Sequence, residues 1–185
     1  MGRTNRKGGK TTTTIGGNMK LQEEALTEIC EDIKPLIQMH WEQVALNKDK
    51  IKLNPDWDEY HRLYNAGNLK IYTARKEHEL VGYFIVAVGK NIHYKDHLFA
   101  NCDIIYVKPD SRAGMTGYKL INFATAELQK IGVSVLNINT KTHLPFDKLL
   151  LRMKFGLIER LYSKTLSNCQ PTTNILDPSL LNAKD

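Results

Sequence analysis

Residues 103–121 read DIIYVKPDSRAGMTGYKLI, and this stretch sets the arrangement that we expect for the rest of the chain. Its first part, up to Val107, is rich in β-branched residues and predicts a strand. Pro109 then predicts a turn, and a loop with two glycines follows it. From Leu120 the apolar residues recur at helical spacing until Gly132, which predicts an amphipathic helix with a defined end.

A strand that turns through glycines into a helix N-terminus directs several main-chain N–H groups at one point. Glycines let the backbone approach a ligand closely, and the helix dipole adds positive potential. The stretch therefore predicts a site for a phosphate-bearing ligand. An ordinary strand-turn-helix connection has the same local composition and stays open as the alternative. A dinucleotide fingerprint is excluded, because Arg112 opens the loop and the G-x-G-x-x-G spacing is absent.

The loop resembles the pyrophosphate loop of the GCN5-related N-acetyltransferase (GNAT) superfamily. In that loop Gln or Arg, two variable residues, Gly, one variable residue, and Gly or Ala follow a strand that ends in Val-x-Pro. Arg112 and Gly117 match the outer positions, and Met115 stands where the family usually has glycine. The resemblance is clearest over residues 69–165 and looks closest to acetyltransferases of bacteriophage genomes. It implies an α+β fold, in which a mixed, mostly antiparallel sheet of six to seven strands has helices on both faces.

The resemblance also implies an activity, which is acetyl-CoA-dependent N-acetylation of a primary amine by direct transfer in a ternary complex, without a metal. In the family, the pantetheine arm of the donor pairs with the strand before the loop, and amides of the loop hold the pyrophosphate. By resemblance, the following residues would bind the donor: Ile105, Tyr106, Val107, Arg112, Ala113, Gly114, Met115, Thr116, Gly117 and Tyr118.

Acyl transfer to an amine also needs groups that take up and return a proton. Asp103 lies four residues before Val107, where related enzymes often place an acidic general base, and burial in an apolar strand would suit it to that role. A structural Asp that bonds nearby backbone is the alternative. Many family members carry a Tyr near the end of the last helix as general acid, but Arg152 occupies the matching position here. The substitutes that the sequence offers are Tyr162, His143 and Tyr106.

Residues that contact the acceptor are predicted in two segments. In the implied fold the first helices flank the acceptor site, so His40 and Glu42 would meet the substrate; a packed His and a solvated Glu are the alternatives. His93 and Tyr94 would line the acceptor cleft or cap a loop. His93 and His97 have a spacing that binds zinc on a helix, but their segment lies between strands and shows no third ligand. No metal site is predicted.

The basic residues of the chain are concentrated at its start. Five of the 26 basic residues and none of the 20 acidic residues lie in residues 1–20, so the remainder is nearly neutral. This composition predicts a disordered basic tail at 1–18. The resemblance implies a GNAT acyltransferase domain at 19–166, and an extended tail is expected at 167–185. No run approaches the length of a membrane span, and isolated cysteines are typical of a reduced, cytoplasmic protein.

Hydrophobic periodicity predicts the order of the remaining elements. Helices are expected at 21–33, from Pro35 onward, at 57–64 and at 146–155. Strands are expected at 69–75, 80–88, 98–107, 133–140 and 157–165, and the run at 80–88 is apolar enough for a central strand covered on both faces.

Two rival functions stay open at this point. The first is a nucleic-acid-modifying acyltransferase of the same fold, whose basic tail engages phosphates. The second is a non-catalytic CoA-binding or virion-associated protein that kept the fold without the general acid. The acceptor, whether a small molecule or a protein, and assembly as a homodimer are likewise left open by the sequence.

Overall fold

The computed structural model describes residues 12–15 and 18–166, and a six-stranded sheet lies at its centre. The strands lie side by side in chain order, and every neighbouring pair is antiparallel except the last, which is parallel. This mixed sheet with helices confirms the predicted α+β fold. The strands are β1 (Thr12–Ile15), β2 (Met19–Glu23), β3 (Leu69–Lys76), β4 (Glu79–Lys90), β5 (Leu98–Val107) and β6 (Val133–Asn137).

Helices cover both faces of the sheet and create two apolar layers. One layer packs under α1 (Leu26–Val44) and α2 (Trp57–Asn65), and the other under α3 (Thr116–Lys130) and α4 (Asp147–Arg152). Alternate residues of β4 enter the two layers: Tyr83 and Ile85 face α1, whereas Phe84 and Val86 face α3. The prediction of a central strand covered on both faces is thereby confirmed.

The described residues divide into two compact units. Residues 12–15, 18–45 and 53–156 form the first unit, which contains the sheet and all four of these helices. Residues 46–52 and 157–166 belong to the second. Within it, the main-chain N–H groups of Lys50 and Ile51 donate to the carbonyl of Asn47 at 3.0 and 2.9 Å, which closes a turn.

The sequence prediction for residues 21–45 is wrong in two respects. The predicted helix at 21–33 begins only at Leu26, because residues 19–23 form β2, where Leu21 pairs with Ala74 of β3. The predicted break at Pro35 is absent, since α1 runs through this residue. Proline removes one helical hydrogen bond. Here the apolar stripe on either side of the proline, which includes the fully buried Ile33, packs on the sheet and keeps the helix continuous.

The predictions for the two ends of the chain also change. Residues 12–15 were expected in a disordered tail, but they form β1 and pair with β2. This run is rich in Thr, whose branched side chain favours strands. The rest of the predicted basic tail (residues 1–11 and 16–17) and the predicted extended tail at 167–185 lie outside the described residues.

The strand predicted at 157–165 is not formed. In the described part of the chain, residues 157–166 have no regular structure, and their large apolar side chains are exposed. The preceding elements are also shorter than predicted, with β6 ending at Asn137 and α4 spanning only Asp147–Arg152. An alternating pattern forms a strand only where a neighbouring strand supplies hydrogen bonds, and the sequence alone does not reveal that partner.

An ionic network, largely buried at Glu24 and Arg75, joins the residue after β2 to β3 and α1. Arg75 donates to both carboxylate oxygens of Glu24, at 2.8 and 3.1 Å, and forms a 2.8 Å ion pair with Asp32 of α1. The hydroxyl of Thr73 also donates to Glu24. Burial raises the pKa of Glu24, but the bonds from Arg75, Thr73 and Gln22 outweigh it and hold this pKa below its ordinary value. The network fixes the start of α1 against the sheet.

We expect Arg75→Met to destabilise the fold strongly. The Glu24 carboxylate is only 6% exposed, and without Arg75 its charge would stay buried and unpaired, at a cost of about 3 kcal/mol. The measurement is the free energy of unfolding in urea. Arg62→Met is the matched control, because Arg62 and its partner Glu59 are both exposed and such pairs contribute less than about 1 kcal/mol. Equal losses in the two variants would contradict the role of the network.

Candidate active site

The site begins at the edge of β5 that faces β6. β5 pairs with β4 from Leu98 to Val107, whereas β6 pairs only with the first four residues of β5, from Leu98 to Asn101. Beyond Asn101 this edge of β5 has no strand partner among the described residues. Such an edge binds an extended ligand through main-chain hydrogen bonds, as an added strand would. The open part of β5 includes three of the predicted donor-binding residues, Ile105, Tyr106 and Val107.

The loop after β5 brings main-chain N–H groups to the end of this open edge. A 3₁₀ turn at Pro109–Ser111 follows the strand, and Gly114 has a φ of 79° before α3 begins. The first N–H groups of a helix have no acceptor inside it, and the helix dipole makes this end positive. Within the described ranges, no residue accepts a hydrogen bond from the first three N–H groups of α3, those of Thr116, Gly117 and Tyr118. This arrangement suits an anionic ligand such as a phosphate.

Met115, which stands where the resembled loop pattern has glycine, adopts a left-handed backbone conformation. Its φ of 65° and ψ of 30° are left-handed, a conformation that glycine adopts freely and that costs other residues about 1–2 kcal/mol. The side chain is 50% exposed. The loop therefore keeps a backbone conformation typical of glycine although the residue is methionine.

Asp103 of β5 lies at a β-bulge and faces α1 and α2. The register of β4 against β5 shifts between Ile104 and Cys102, which leaves Asp103 as the extra residue. Ile104 packs in the layer under α1, and Cys102 packs in the layer under α3. Side chains alternate along a regular strand, so Asp103 lies on the opposite side from Cys102. Because of the inserted residue, Asp103 and Ile104 both lie on the side of α1. The hydroxyl of Tyr60 on α2 donates to Asp103 Oδ2 at 2.6 Å, which agrees with this orientation.

The pair formed by Tyr60 and Asp103 presents a carboxylate at the surface of the site. Asp103 is exposed, so it lacks the burial that would have suited it to the role of general base. Burial, together with the negative charge of Asp103, raises the pKa of Tyr60, so its phenol stays protonated and donates. Sequence reasoning did not identify Tyr60 as a residue of the site. No pattern along the chain pairs it with a bulge 43 residues later.

Three aromatic residues form a polar cluster on the same face of the sheet. His40 of α1 stacks on Tyr106 with ring centroids 4.9 Å apart, and its Nδ1 lies 3.0 Å from the hydroxyl of Tyr83. Burial, with the positive charges of Lys141 and Arg112 as smaller causes, lowers the pKa of His40 to about 4. His40 is therefore a neutral imidazole at pH 7.

The remaining predicted residues lie in separate places. Glu42 is exposed on α1 and accepts a hydrogen bond from Gln38 at 2.7 Å. His93 and Tyr94 occupy the turn before β5, whereas the loop described above follows its other end, about 30 Å away for ten residues of strand. His143 is exposed in the turn between Lys141 and Leu144. Tyr162 is 85% exposed and belongs to the second unit.

Three further observations concern a thiol nucleophile, a metal site and a membrane span. Burial, and then the charge of Asp103, raises the pKa of the Cys102 thiol to about 12, so at neutral pH this group is not a thiolate nucleophile. In the part of the chain that the structure describes, no three His, Cys, Asp or Glu side chains are grouped so as to hold a metal ion. None of the helices in that part has both the length and the hydrophobicity of a membrane span.

Comparison with known proteins identifies the fold. The amino-acid sequence matches no protein-family model and no curated protein. Among solved structures, an aminoglycoside acetyltransferase from an uncultured soil metagenomic sample, in complex with sisomicin, is 16% identical, with a TM-score of 0.64 over 80% of this chain and 96% of that one. A ribosomal-protein-alanine N-acetyltransferase from Brucella melitensis biovar Abortus 2308 is 19% identical, with a TM-score of 0.58 over 80% and 97%.

A predicted acetyltransferase from Clostridium acetobutylicum, solved with acetyl-CoA, is similar in the same way. It is 10% identical, and the match has a TM-score of 0.59 and covers 80% of this chain and 96% of that one. Similarity at these identities shows the fold alone. The chain has the fold of the GNAT acetyltransferases.

The lowered pKa of His40 predicts how the stability of the fold depends on pH. Its pKa in the folded state, about 4, is below the ordinary value of 6.5, so the unfolded state binds the proton more readily as the pH falls. The stability that neutral His40 contributes is therefore complete above about pH 6.5 and declines toward pH 4. His40→Asn keeps a polar partner for Tyr83 without a titrating group. We expect the advantage of the wild type over this variant in unfolding free energy to shrink by about 1–2 kcal/mol over that range, a value reduced for partial exposure.

Urea unfolding of both proteins at several pH values measures this difference. A constant difference between the two proteins from pH 7.5 to pH 4 would show that His40 is not held neutral by burial.

Proposed function

We propose that the chain is an acetyl-CoA-dependent N-acetyltransferase that acetylates a primary amine by direct transfer in a ternary complex. The observation that carries the proposal is the continuity between the open edge of β5 and the free N–H groups at the start of α3. An extended pantetheine arm would pair with residues 105–107, and the pyrophosphate would bind the amides of residues 112–118. Acetyl-CoA would supply the acetyl thioester that the amine attacks.

Asp103 is the proposed general base. Tyr60 holds its carboxylate on the face covered by α1 and α2, where the acceptor would enter. From there it would take the proton of the acceptor ammonium, directly or through water. A protonated imidazole nearby would repel that ammonium, and the neutral state of His40 avoids this repulsion. For the proton that the leaving thiolate needs, the predicted donors within the first unit are His143 and Tyr106.

The acceptor is proposed only as a class, the primary amines. One structure with this fold was solved with the aminoglycoside sisomicin, and another is described as a ribosomal-protein-alanine N-acetyltransferase. The decisive experiment incubates the wild-type protein with acetyl-CoA and a panel of amines: sisomicin, spermidine, a peptide with an N-terminal alanine, and a lysine peptide. Thiol release and product mass are the measurements. Acetyl-CoA binding without turnover on any amine would indicate a binding protein, and absence of binding would refute the proposal.

A pair of substitutions tests whether the main-chain amides of residues 112–118, here called the amide cradle, bind the pyrophosphate. Gly117→Pro removes one N–H group in the first turn of α3, a position where proline is tolerated. We expect the affinity for acetyl-CoA, measured by calorimetry, to fall about tenfold, because a charge-assisted bond to phosphate contributes about 1.5 kcal/mol. Gly117→Ala is the control, since it keeps the N–H and its Cβ would be 3.9 Å from Leu149, an ordinary contact. Equal affinities of the two variants would exclude this amide from the cradle.

Asp103→Asn tests the general base. Asparagine still accepts the bond from Tyr60 but takes up no proton, so we expect kcat to fall about 100-fold or more. The affinity for acetyl-CoA should not change. Asp58→Asn, an exposed position on α2, serves as the control and should keep wild-type kcat. An active Asp103→Asn enzyme would assign proton removal to another group.

A further inference from the structure

The side chain of Arg112 does not extend away from the protein but folds back onto it. Its Nε donates to the carbonyl of Val107, the last residue of β5, at 2.9 Å. Its guanidinium carbon lies 5.8 Å from the centre of the Tyr106 ring, within range of a cation–π interaction. Both contacts attach the first residue of the loop to the end of the strand that precedes it.

Gln43 of α1 connects the same two residues from the other side. Its Oε1 accepts from Nη2 of Arg112 at 3.0 Å, and its Nε2 donates to the hydroxyl of Tyr106 at 3.2 Å. The oxygen and the nitrogen of the Gln43 side-chain amide are therefore both hydrogen-bonded. Tyr106 is 4% exposed and stacks on His40 one turn earlier in α1, which gives Gln43 a rigid partner.

The hydrogen bonds of Gln43 to Arg112 and Tyr106 connect the proposed donor-binding and acceptor-binding parts of the site. Arg112 opens the loop whose amides face the proposed diphosphate, whereas α1 covers the face of the sheet on which the proposed acceptor would bind. Gln43 of α1 hydrogen-bonds both to Arg112 of the loop and to Tyr106 of β5. A guanidinium that is held on three sides has few alternative positions, so the main chain that carries it is also restricted.

We propose that Gln43 is a positioning residue that couples the donor loop to α1 through Arg112 and Tyr106. The inference rests on the proposed function, because it gives the loop the task of binding the donor. Loss of the amide would leave the fold intact but release Arg112, and the loop would then bind acetyl-CoA less well because part of its order would have to be gained on binding.

The test compares substitutions at two glutamines of the same helix. Gln43→Met keeps the length of the side chain and removes both hydrogen bonds, whereas Gln43→Glu still accepts from Arg112 and from the Tyr106 hydroxyl. Gln38→Met is the control, because Gln38 contacts Glu42 on the exposed side of α1. We expect Gln43→Met to bind acetyl-CoA about fivefold to tenfold more weakly in calorimetry, and the other two variants to remain within about twofold of the wild type.

A second measurement does not depend on the donor. In ¹⁵N–¹H spectra of the protein without ligand, the Nε–H resonance of Arg112 and the amide resonances of residues 113–118 should shift in Gln43→Met and not in Gln38→Met. Thermal unfolding of the two methionine variants should agree to within about 2 °C, because the proposed role of Gln43 concerns the order of the loop and not the stability of the fold.

The outcomes separate this inference from the function on which it rests. If the wild type does not bind acetyl-CoA, the proposed function fails, whatever the spectra of the variants show. If the wild type binds and Gln43→Met binds equally well, or if Gln43→Glu is as weak as Gln43→Met, the coupling through Gln43 is wrong and the proposed function stands.

Discussion

The structure of the site depends on the fact that β5 is paired along its whole length on one side and along less than half on the other. The parallel ladder with β6 stops at Asn101, where Asn137 donates from its side chain to Asn101 at 2.9 Å. Beyond this point β4 is the strand that pairs with β5 among the described residues. Main-chain groups that another strand would normally satisfy have no strand partner in the described ranges, although the carbonyl of Val107 accepts from Arg112. The strand remains ordered because its side chains still enter both apolar layers.

A single extra residue in the same strand changes the alternation of side chains beside Asp103. Alternation from Ala100 and Cys102 already directs Asp103 to the side of α1, and the bulge puts the next residue, Ile104, on that side as well. Asp103 accepts a hydrogen bond there from Tyr60. The strand thus has an acidic group and an apolar group side by side on this face, next to the open edge.

Helix α1 serves the core and the site with one continuous stripe of residues. Its first half contributes apolar side chains, among them Ile29 and Ile33, which are fully buried. In its second half the same stripe becomes polar at His40 and Gln43, which bond to tyrosines of β4 and β5. Tyr83 and Tyr106 thus pack as aromatic residues and also satisfy the polar groups that α1 brings to the sheet.

Much of the architecture was determined by the sequence itself. The spacing after Val107 predicted the turn, the loop and α3, and the apolar run in β4 predicted a strand between two layers, since both signals depend on neighbours along the chain. The helix at 57–64 was predicted for the same reason. The loop residues of the candidate site, from Arg112 to Gly117, were likewise visible in the sequence.

Only the tertiary structure decided the features that depend on distant partners. No residue pattern marks the bulge that puts Asp103 and Ile104 on one side of the strand, and Tyr60, the partner of Asp103, is 43 positions away. Whether residues 19–23 and 157–165 form strands depends on a neighbouring strand, which β3 supplies in the first case and no described strand supplies in the second. Local pattern sets which residues are able to face each other, but hydrogen-bond pairing across the sheet sets which of them do.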